Sequence, residues 1–589
     1  MKEPHPVRYV RNPLLALFRR LRISDHTFLI ILAIIIGGVV GGGTVFFVKL
    51  LEGSDRLFRH FLPGLLGGHL WVVALVPAFG GLCLAPFIWR FPKEAARDGV
   101  PATMEAVALH NGLIRWRDGF LTMILSAITL GSGGSAGSEG PIIRIGSAFA
   151  SGVGQFLGVS GERRRVIAAC GAGAGLAAIF NAPIAGVMFA IEAVLGEFNV
   201  RSFSPVIISA VLATAVARAF LSRGALLHVP PYQLFSHWEI PLYAIMGIAA
   251  GFVSIAFTRM MLVSERFFQG PAKIPAALTP AVGGLLVGII GVFLPQILGY
   301  SYVPLTKAIN GQFAAGFLFL LAAAKMVATS LTLGSRGSGG ILCPSLFLGA
   351  TFGSGCGTLF HGLFPHLLPQ VGGYGIVGMG AMLGAVLQAP MAAMVMGFEI
   401  TDDYRVILPM MAACILATLI HKKFMKGSLY SLKLAHKGIH IDAGREMGIL
   451  SDLRVREIME PVFETIPVAT AYEVVLEKCL GNRANCLYVV DEKENLVGVV
   501  SFSNLKQLAL EGKNGKHPDA KDLLNPDVVC VTPDESLASC LHKFSFIDME
   551  QLPVVDQNNA FRKISGVITK SHVFEAYRQE MVKRSMRQG

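Results

Sequence analysis

The sequence is poor in charged side chains. Asp, Glu, Lys and Arg make up 15% of its 589 residues, whereas soluble domains carry about 25%. Hydrophobic residues reach 53%, and apolar runs of membrane-spanning length recur through the first three quarters of the chain. This composition excludes a cytosolic enzyme, a secreted disulfide scaffold and a disordered protein, and it predicts a multi-pass membrane protein.

Motifs for metal binding and catalysis are also lacking. The nine cysteines include no Cys-x-x-Cys pair and no Cys/His spacing suited to zinc. No candidate nucleophile has a recognisable base partner. We therefore expect no metal site, no enzymatic activity and no required cofactor.

The net charge of +12 is typical of a membrane protein with basic cytoplasmic ends, and it does not require a nucleic-acid partner. The first long apolar run, residues 28–51, follows five arginines: Arg8, Arg11, Arg19, Arg20 and Arg22. The N-terminus is therefore predicted to be cytoplasmic. The run is too long for a signal-peptide core and is predicted to be a retained span.

The chain divides into a membrane part and a soluble part. We assign residues 1–27 to a cytoplasmic segment, 28–434 to an all-α polytopic membrane domain and 435–450 to a linker. Beyond the linker the charge rises, and short β-rich runs alternate with helical stretches. This pattern predicts two cytoplasmic α/β units, 451–512 and 513–589. Many apolar segments of the membrane part are interrupted by Gly and Pro, as in transporters.

The membrane part contains an internal duplication in two collinear blocks. Residues of the first block recur at a constant offset, from Pro141, Gly146, Phe149, Ser151, Gly152 and Gly154 to Pro344, Gly349, Phe352, Ser354, Gly355 and Gly357. The second block recurs in the same way, from Gly171, Gly173, Ala174, Leu176, Ala178, Ala182, Pro183, Ala185 and Glu192 to Gly378, Gly380, Ala381, Leu383, Ala385, Ala389, Pro390, Ala392 and Glu399. Duplicated halves with broken helices predict a substrate site where the halves meet.

Each repeat opens with a glycine-rich approach to a helix that begins near a proline. Residues 131–141 read Gly-Ser-Gly-Gly-Ser-Ala-Gly-Ser-Glu-Gly-Pro, and residues 337–344 read Gly-Ser-Gly-Gly-Ile-Leu-Cys-Pro. Such loops leave backbone N–H groups and the positive ends of helix dipoles facing one place, which attracts an anion. Gly137, Ser138 and Gly140 are candidate contacts in the first loop. Alternatively, the glycines only allow close helix packing.

Glu139 is an acid at a helix start inside the bilayer. Intramembrane acids are costly and are functional by default. Its carboxylate could take the place of the anion and swing away on protonation, so Glu139 is predicted to be a gate. The alternative role is a plain helix cap.

Five motifs give the chain a resemblance to the CLC family of chloride channels and chloride/proton exchangers, followed by a pair of CBS domains. The similarity runs from about residue 28 to 578. The motifs are 137–141 (Gly-Ser-Glu-Gly-Pro), 340–344 (Gly-Ile-Leu-Cys-Pro), 181–183 (Asn-Ala-Pro), 399–404 (Glu-Ile-Thr-Asp-Asp-Tyr) and 427–431 (Gly-Ser-Leu-Tyr-Ser).

The resemblance implies a homodimer in a lipid bilayer, with one anion pathway per subunit built from two inverted halves. It makes Glu139 the gating glutamate, Ile341 and Leu342 amide donors to a bound chloride, and Tyr430 the hydroxyl on the inner side. Leu342 replaces the family's Phe, a mild change because the backbone makes the contact.

Two departures from the family pattern bear on mechanism. The family's serine in its first anion loop is Asp98 here, and a carboxylate about 4 Å from chloride would repel it by roughly 4 kcal/mol at an effective dielectric near 20. We expect Asp98 to pair with Arg97 or Lys93 and to weaken the central site. At the position of the family's inner, proton-carrying glutamate this sequence has Ala193, which cannot carry a proton. Glu192 beside it is interpreted as structural.

The soluble end contains a second duplication: Met459, Pro461, 489–491 (Val-Val-Asp) and 498–501 (Gly-Val-Val-Ser) return as Leu524, Pro526, 554–556 (Val-Val-Asp) and 566–569 (Gly-Val-Ile-Thr). This duplication resembles a CBS pair, a module that often binds adenine nucleotides. The resemblance places candidate nucleotide contacts at Ser501 and Thr569. The family's ribose-binding Asp would fall at Asn504 and His572, and both departures weaken the prediction. Dimerisation and coupling to the pore are therefore the favoured role, and nucleotide binding is the alternative.

The residues together predict passive, glutamate-gated chloride conduction across the inner or cell membrane of a prokaryote, with both termini cytoplasmic. A chloride/proton antiporter of the same family is the alternative. A CBS-bearing divalent cation channel is a distant one, because helix N-termini repel cations. A membrane-anchored nucleotide sensor without transport is a further alternative, which the duplicated broken helices disfavour.

Overall fold

A computed structural model shows how the repeats meet. It describes residues 25–65, 70–95, 99–159, 161–196, 198, 200–221, 239–269, 275–300, 302–366, 371–439, 450, 453–461, 463–481, 486–501, 519–526, 528–545, 550–556 and 563–586. The chain forms two compact units, which separate between residues 441 and 442.

The first unit is built from helices. They are α1 (Asp25–Asp55), α2 (Leu62–Leu65), α3 (Leu70–Arg90), α4 (Pro92–Ala95), α5 (Gly99–Leu109), α6 (Trp116–Gly131), α7 (Glu139–Phe156), α8 (Gly161–Phe180), α9 (Pro183–Phe189), α10 (Val200–Leu221), α11 (Glu239–Gln269), α12 (Thr279–Phe293), α13 (Tyr302–Ile309), α14 (Ala315–Gly334), α15 (Leu342–Leu363), α16 (Gly372–Leu387), α17 (Pro390–Thr401), α18 (Ile407–Phe424) and α19 (Leu429–His436). Within the described residues, six helical segments are long and apolar enough to cross a membrane. Several others are short and begin or end inside the apolar core, as the Gly and Pro interruptions predict.

The two halves of this unit repeat one packing arrangement. In the first half α7 crosses α8 with Gly146 against Gly171, and in the second half α15 crosses α16 with Gly349 against Gly378. A Cβ atom on any of these glycines would collide with a backbone carbonyl of the facing helix. The repeated glycines therefore allow the backbones to approach closely.

The loops that precede α7 and α15 exchange contacts in pairs. The Ser135 amide donates to Oγ1 of Thr332 over 3.0 Å, and the Ser338 amide donates to Oγ1 of Thr129 over 3.1 Å. The second contact is equivalent to the first with the two halves exchanged, as a two-fold relation between the repeats requires. Two backbone segments from distant parts of the chain are thereby fixed side by side.

The second unit contains two small sheets with helices. In the first sheet β1 (Thr465–Pro467) pairs in parallel with β2 (Cys486–Val490), which pairs antiparallel with β3 (Leu496–Ser501). In the second, β4 (Gln551–Val555) pairs antiparallel with β5 (Ile564–Thr569). The helices are α20 (Tyr472–Gly481), α21 (Ala520–Leu523), α22 (Leu537–Ser545) and α23 (Lys570–Met586).

The two sheets exchange flanking segments. Glu460, which precedes the first sheet in sequence, forms reciprocal backbone hydrogen bonds with Val567 of β5. Asn525, which follows the first sheet, forms the same pair of bonds with Val499 of β3. Each half of this unit is thus completed by chain from the other side of the boundary that the sequence predicts at residue 512.

Candidate anion site

The carboxyl group of Glu139 is fully buried where the two repeats meet. Glu139 is the first residue of α7, and its side chain turns toward the start of α15. The Tyr302 hydroxyl donates to Oε1 over 3.0 Å, and the Cys343 amide donates to Oε2 over 3.4 Å. The acid of the first half therefore takes hydrogen bonds from the second half.

Gly137 provides the space for this carboxylate. A Cβ atom at Gly137 would collide with Oε2 of Glu139. The Gly137 amide donates to the Gly340 carbonyl over 2.8 Å, and the Gly340 amide returns the bond to the Gly137 carbonyl over 2.7 Å. In this conformation the Gly137 amide binds the opposite loop and does not face an ion.

A small cavity lies beside the paired loops and brings together three of the residues that the sequence singles out. Gly140, Ile341 and Tyr430 line it. Gly99, the first residue of α5, contributes to the same wall. Three helix starts, those of α5, α7 and α15, thus approach one place, where their N–H groups can attract a negative charge.

Ser138 and Leu342 lie within two residues of this lining in sequence and are buried. Leu342 is the first residue of α15 and Ser138 immediately precedes α7. Asp98 and Arg97 lie outside the described residues, so the expected Asp98 pairing stays a prediction.

The segment that carries Tyr302 is held in place by a buried ammonium group. Lys325 of α14 is fully buried, and its Nζ donates to the carbonyls of Ile297 and Gly299, each over 2.9 Å. The Cys343 thiol donates to the Tyr300 carbonyl over 2.8 Å. The backbone leading into α13 is thus fixed at three carbonyls, and this fixes the position of the Tyr302 hydroxyl.

Glu192 and Glu399 cap each other's repeat. The Glu192 carboxylate accepts the amides of Met391 and Ala392 at the start of α17, over 3.3 and 2.8 Å. The Glu399 carboxylate accepts the amides of Ile184 and Ala185 at the start of α9, over 3.0 and 2.7 Å. This reciprocal capping supports the structural interpretation of Glu192, which stays a prediction.

Ala193 lies in the π-helical turn Ala190–Leu195 that continues α9. It is partly buried and packs against the main hydrophobic core. Its methyl group offers no atom that could carry a proton.

Two of the four candidate nucleotide contacts of the second unit, Thr569 and His572, lie at or just after the end of β5. The Thr569 hydroxyl lies 2.8 Å from the Ser571 hydroxyl and accepts the His572 amide over 3.2 Å. Nε2 of His572 lies 3.2 Å from Oε1 of Glu460. Ser501 is the last residue of β3, and Asn504 lies outside the described residues.

Among the described residues no group of three or more His, Cys, Asp or Glu side chains could hold a metal ion. Three further residues at the site belong to none of the motifs in the sequence: Tyr302, Lys325 and Lys433. A signal existed for Lys325, because a lysine interrupts the otherwise apolar stretch of α14 and charges at membrane depth are functional by default. Tyr302 lies 163 residues from Glu139, and no local pattern links the two.

Comparison with known proteins identifies the family. A family model described as voltage gated chloride channel matches residues 80–422, and a CBS domain model matches residues 455–511 and 520–579. A putative chloride channel protein ClcB-like from Ralstonia nicotianae is 34% identical over 373 residues, which are 62% of this chain and 86% of that protein. An H(+)/Cl(-) exchange transporter ClcA from Salmonella paratyphi A is 33% identical over 431 residues, 71% of this chain and 90% of that protein.

Solved structures show the same fold. The crystal structure of a slow cyanobacterial Cl-/H+ antiporter matches with a TM-score of 0.65 at 24% identity, over 70% of this chain and 98% of that one. The chain belongs to the CLC family and carries two CBS domains. It is an integral, multi-pass membrane protein of an anion-transporting family whose members are channels or transporters, not enzymes. The predicted family and fold are confirmed.

Proposed function

We propose that the protein conducts chloride passively through a pathway that Glu139 gates. One observation carries the proposal: the buried Glu139 carboxylate accepts hydrogen bonds from Tyr302 and from the Cys343 amide, at a place where three helix starts converge. A carboxylate bound there occupies the position that an anion would take. Protonation weakens these contacts, releases the side chain and opens the path, so conduction rises as the pH falls.

The ion contacts in this proposal come from both halves. The amides of Ser138 and Gly140 in the first half and of Ile341 and Leu342 in the second face the chloride, and the Tyr430 hydroxyl closes one end. Gly137 holds the two loops together. Chloride is the only ligand that transport requires.

The passive mode rests on Ala193. A coupled exchanger needs a route for protons to the gate, and alanine interrupts such a route at this position. A chloride/proton antiporter is the second candidate, favoured by the names of relatives such as the Salmonella exchange transporter. A water chain could then carry the proton past Ala193.

Proton movement in proteoliposomes separates the two modes. Vesicles loaded with chloride are diluted into low chloride, and chloride efflux and internal pH are recorded together. With the membrane potential clamped by valinomycin, we expect chloride efflux without proton uptake. Proton uptake against its gradient, in fixed ratio to chloride, would establish the antiporter. Flux of divalent cations in place of anions would contradict both.

We further propose a homodimer in the inner or cell membrane of a prokaryote, with both termini cytoplasmic. In this proposal the CBS pair supports dimerisation and coupling to the pore. The Thr569 hydroxyl is engaged with Ser571 and the His572 amide, which does not favour a nucleotide site. Titration of the full-length protein with ATP and AMP should give no heat and no shift in melting temperature; saturable binding would contradict this part.

A further inference from the structure

A second buried lysine borders the anion cavity. Lys433 lies in α19, one turn after Tyr430, so the two side chains share a face of that helix. Both line the cavity that Ile341 and Gly140 also line. The Lys433 side chain is only 5% exposed, although a lysine is almost never buried without a partner or a function.

Lys433 forms an ion pair with Glu265, near the end of α11. Nζ of Lys433 lies 3.5 Å from Oε2 of Glu265, whose side chain is 15% exposed. Tight ammonium–carboxylate hydrogen bonds are about 2.7–2.9 Å long, so this pair is loose. Lys433 contributes to the cavity wall and Glu265 does not. Lys433, the positively charged member of the pair, is therefore the one that lines the cavity.

We infer that Lys433 forms a binding site for a small monovalent anion next to Tyr430, and that Glu265 sets the strength of this site. The inference rests on the proposed function, since it adds a residue to the same pathway. A bare ammonium would hold chloride too firmly for rapid release. The carboxylate at 3.5 Å cancels part of that field and leaves an attraction from which the ion can escape.

A purely structural ion pair would tie α19 to α11 without any effect on the ion. The two roles differ in the sign of their effects. Lys433→Met and Glu265→Gln both break the pair, so a structural role predicts that both variants change the protein in the same direction. An anion site predicts opposite directions, because Lys433→Met removes the attracting charge and Glu265→Gln removes the charge that moderates it.

The test measures chloride efflux from proteoliposomes over a range of chloride concentrations for full-length protein. We expect Lys433→Met to raise the half-saturating chloride concentration about tenfold and Glu265→Gln to lower it by a similar factor, which is the effect of one charge interaction in a partly shielded site. Lys433→Arg keeps the charge and should stay within about twofold of the wild type. Lys423→Met removes an exposed charge from α18 and should leave the concentration dependence unchanged.

Three results would overturn the inference. They are equal shifts of the same sign in Lys433→Met and Glu265→Gln, unchanged half-saturation in both, and a shift in Lys423→Met as large as that in Lys433→Met. In each of these cases chloride efflux by the wild type would still support the proposed function. Absence of anion efflux from the wild type itself would instead contradict the proposed function.

Discussion

The two halves of the membrane unit share a scaffold and differ at Glu139 and the residues around it. Positions that match across the repeat hold the halves together: Thr129 with Thr332, Ser135 with Ser338 and Gly137 with Gly340. Each of these pairs takes part in an exchanged backbone contact. Identical residues at equivalent positions are what a two-fold arrangement needs.

The positions that differ between the two repeats carry the polar side chains of the candidate site. At the offset that relates Pro141 to Pro344, Glu139 of the first half corresponds to Leu342 of the second. By the same offset Tyr302 corresponds to Gly99, and Lys325 to Thr122. The first half therefore supplies the acid, and the second half supplies the hydroxyl that binds it and the ammonium that fixes the segment carrying that hydroxyl. Duplication provides the pocket, and divergence between the copies provides the residues of the proposed gate.

The largest test of this asymmetry replaces the acid. Glu139→Gln keeps the size of the side chain but removes the charge that Tyr302 and the Cys343 amide stabilise. We expect chloride efflux that no longer varies with pH, because the amide that replaces the carboxyl group does not titrate. Leu342→Ala at the equivalent position should retain pH dependence. A fall in stability with intact pH dependence would indicate that Glu139 is only a helix cap.

The next test removes the buried ammonium. Lys325→Met takes the donor away from the Ile297 and Gly299 carbonyls, and a buried polar group left unsatisfied costs about 1–3 kcal/mol. We expect a lower apparent melting temperature in detergent and a loss of gating. Thr122→Val, at the equivalent position of the first half, removes one hydroxyl that bonds within its own helix and should have the smaller effect. Equal effects of Lys325→Met and Thr122→Val would show that the difference between the two repeats at this position does not affect stability or gating.

A smaller effect is expected when one hydrogen bond to the Glu139 carboxylate is removed. Tyr302→Phe deletes the hydroxyl that donates to Oε1 of Glu139 over 3.0 Å, and a hydrogen bond to a charged group is worth about 1.5–3 kcal/mol. The carboxylate should leave its site more readily, so chloride efflux at neutral pH should rise about tenfold. The double variant with Glu139→Gln should show no further increase. An increase in the double variant would place the action of Tyr302 elsewhere.

The smallest expected effect concerns a pair that should behave symmetrically. Glu192→Ala and Glu399→Ala each remove one reciprocal helix cap, worth about 0.5–2 kcal/mol. Both variants should lose a similar amount of thermal stability and keep the pH dependence of transport. If Glu192→Ala alone abolished pH dependence, Glu192 would be part of a proton route and the structural interpretation would be wrong.

The sequence predicts the parts of this protein that depend on local pattern or on repetition. The duplicated blocks, the broken helices and the acid at position 139 all follow from residue type and spacing. The contacts of Tyr302 and Lys433 do not, because each joins residues more than 160 positions apart and depends on how the helices cross. The amide of Gly137 illustrates the same limit: its partner, Gly340, belongs to the other repeat.

The exchange of segments in the second unit has a consequence for how the chain is made. The first sheet is completed by Asn525, and the second by Glu460, which is synthesised earlier. On the ribosome, the first sheet cannot be completed until Asn525 has been synthesised. The segment around Glu460 also lacks its final partner until Val567 has been synthesised. A nascent chain that stops between the two halves would expose two segments that lack their final partners, the one around Val499 and the one around Glu460. Proteolysis of arrested chains should begin at these segments.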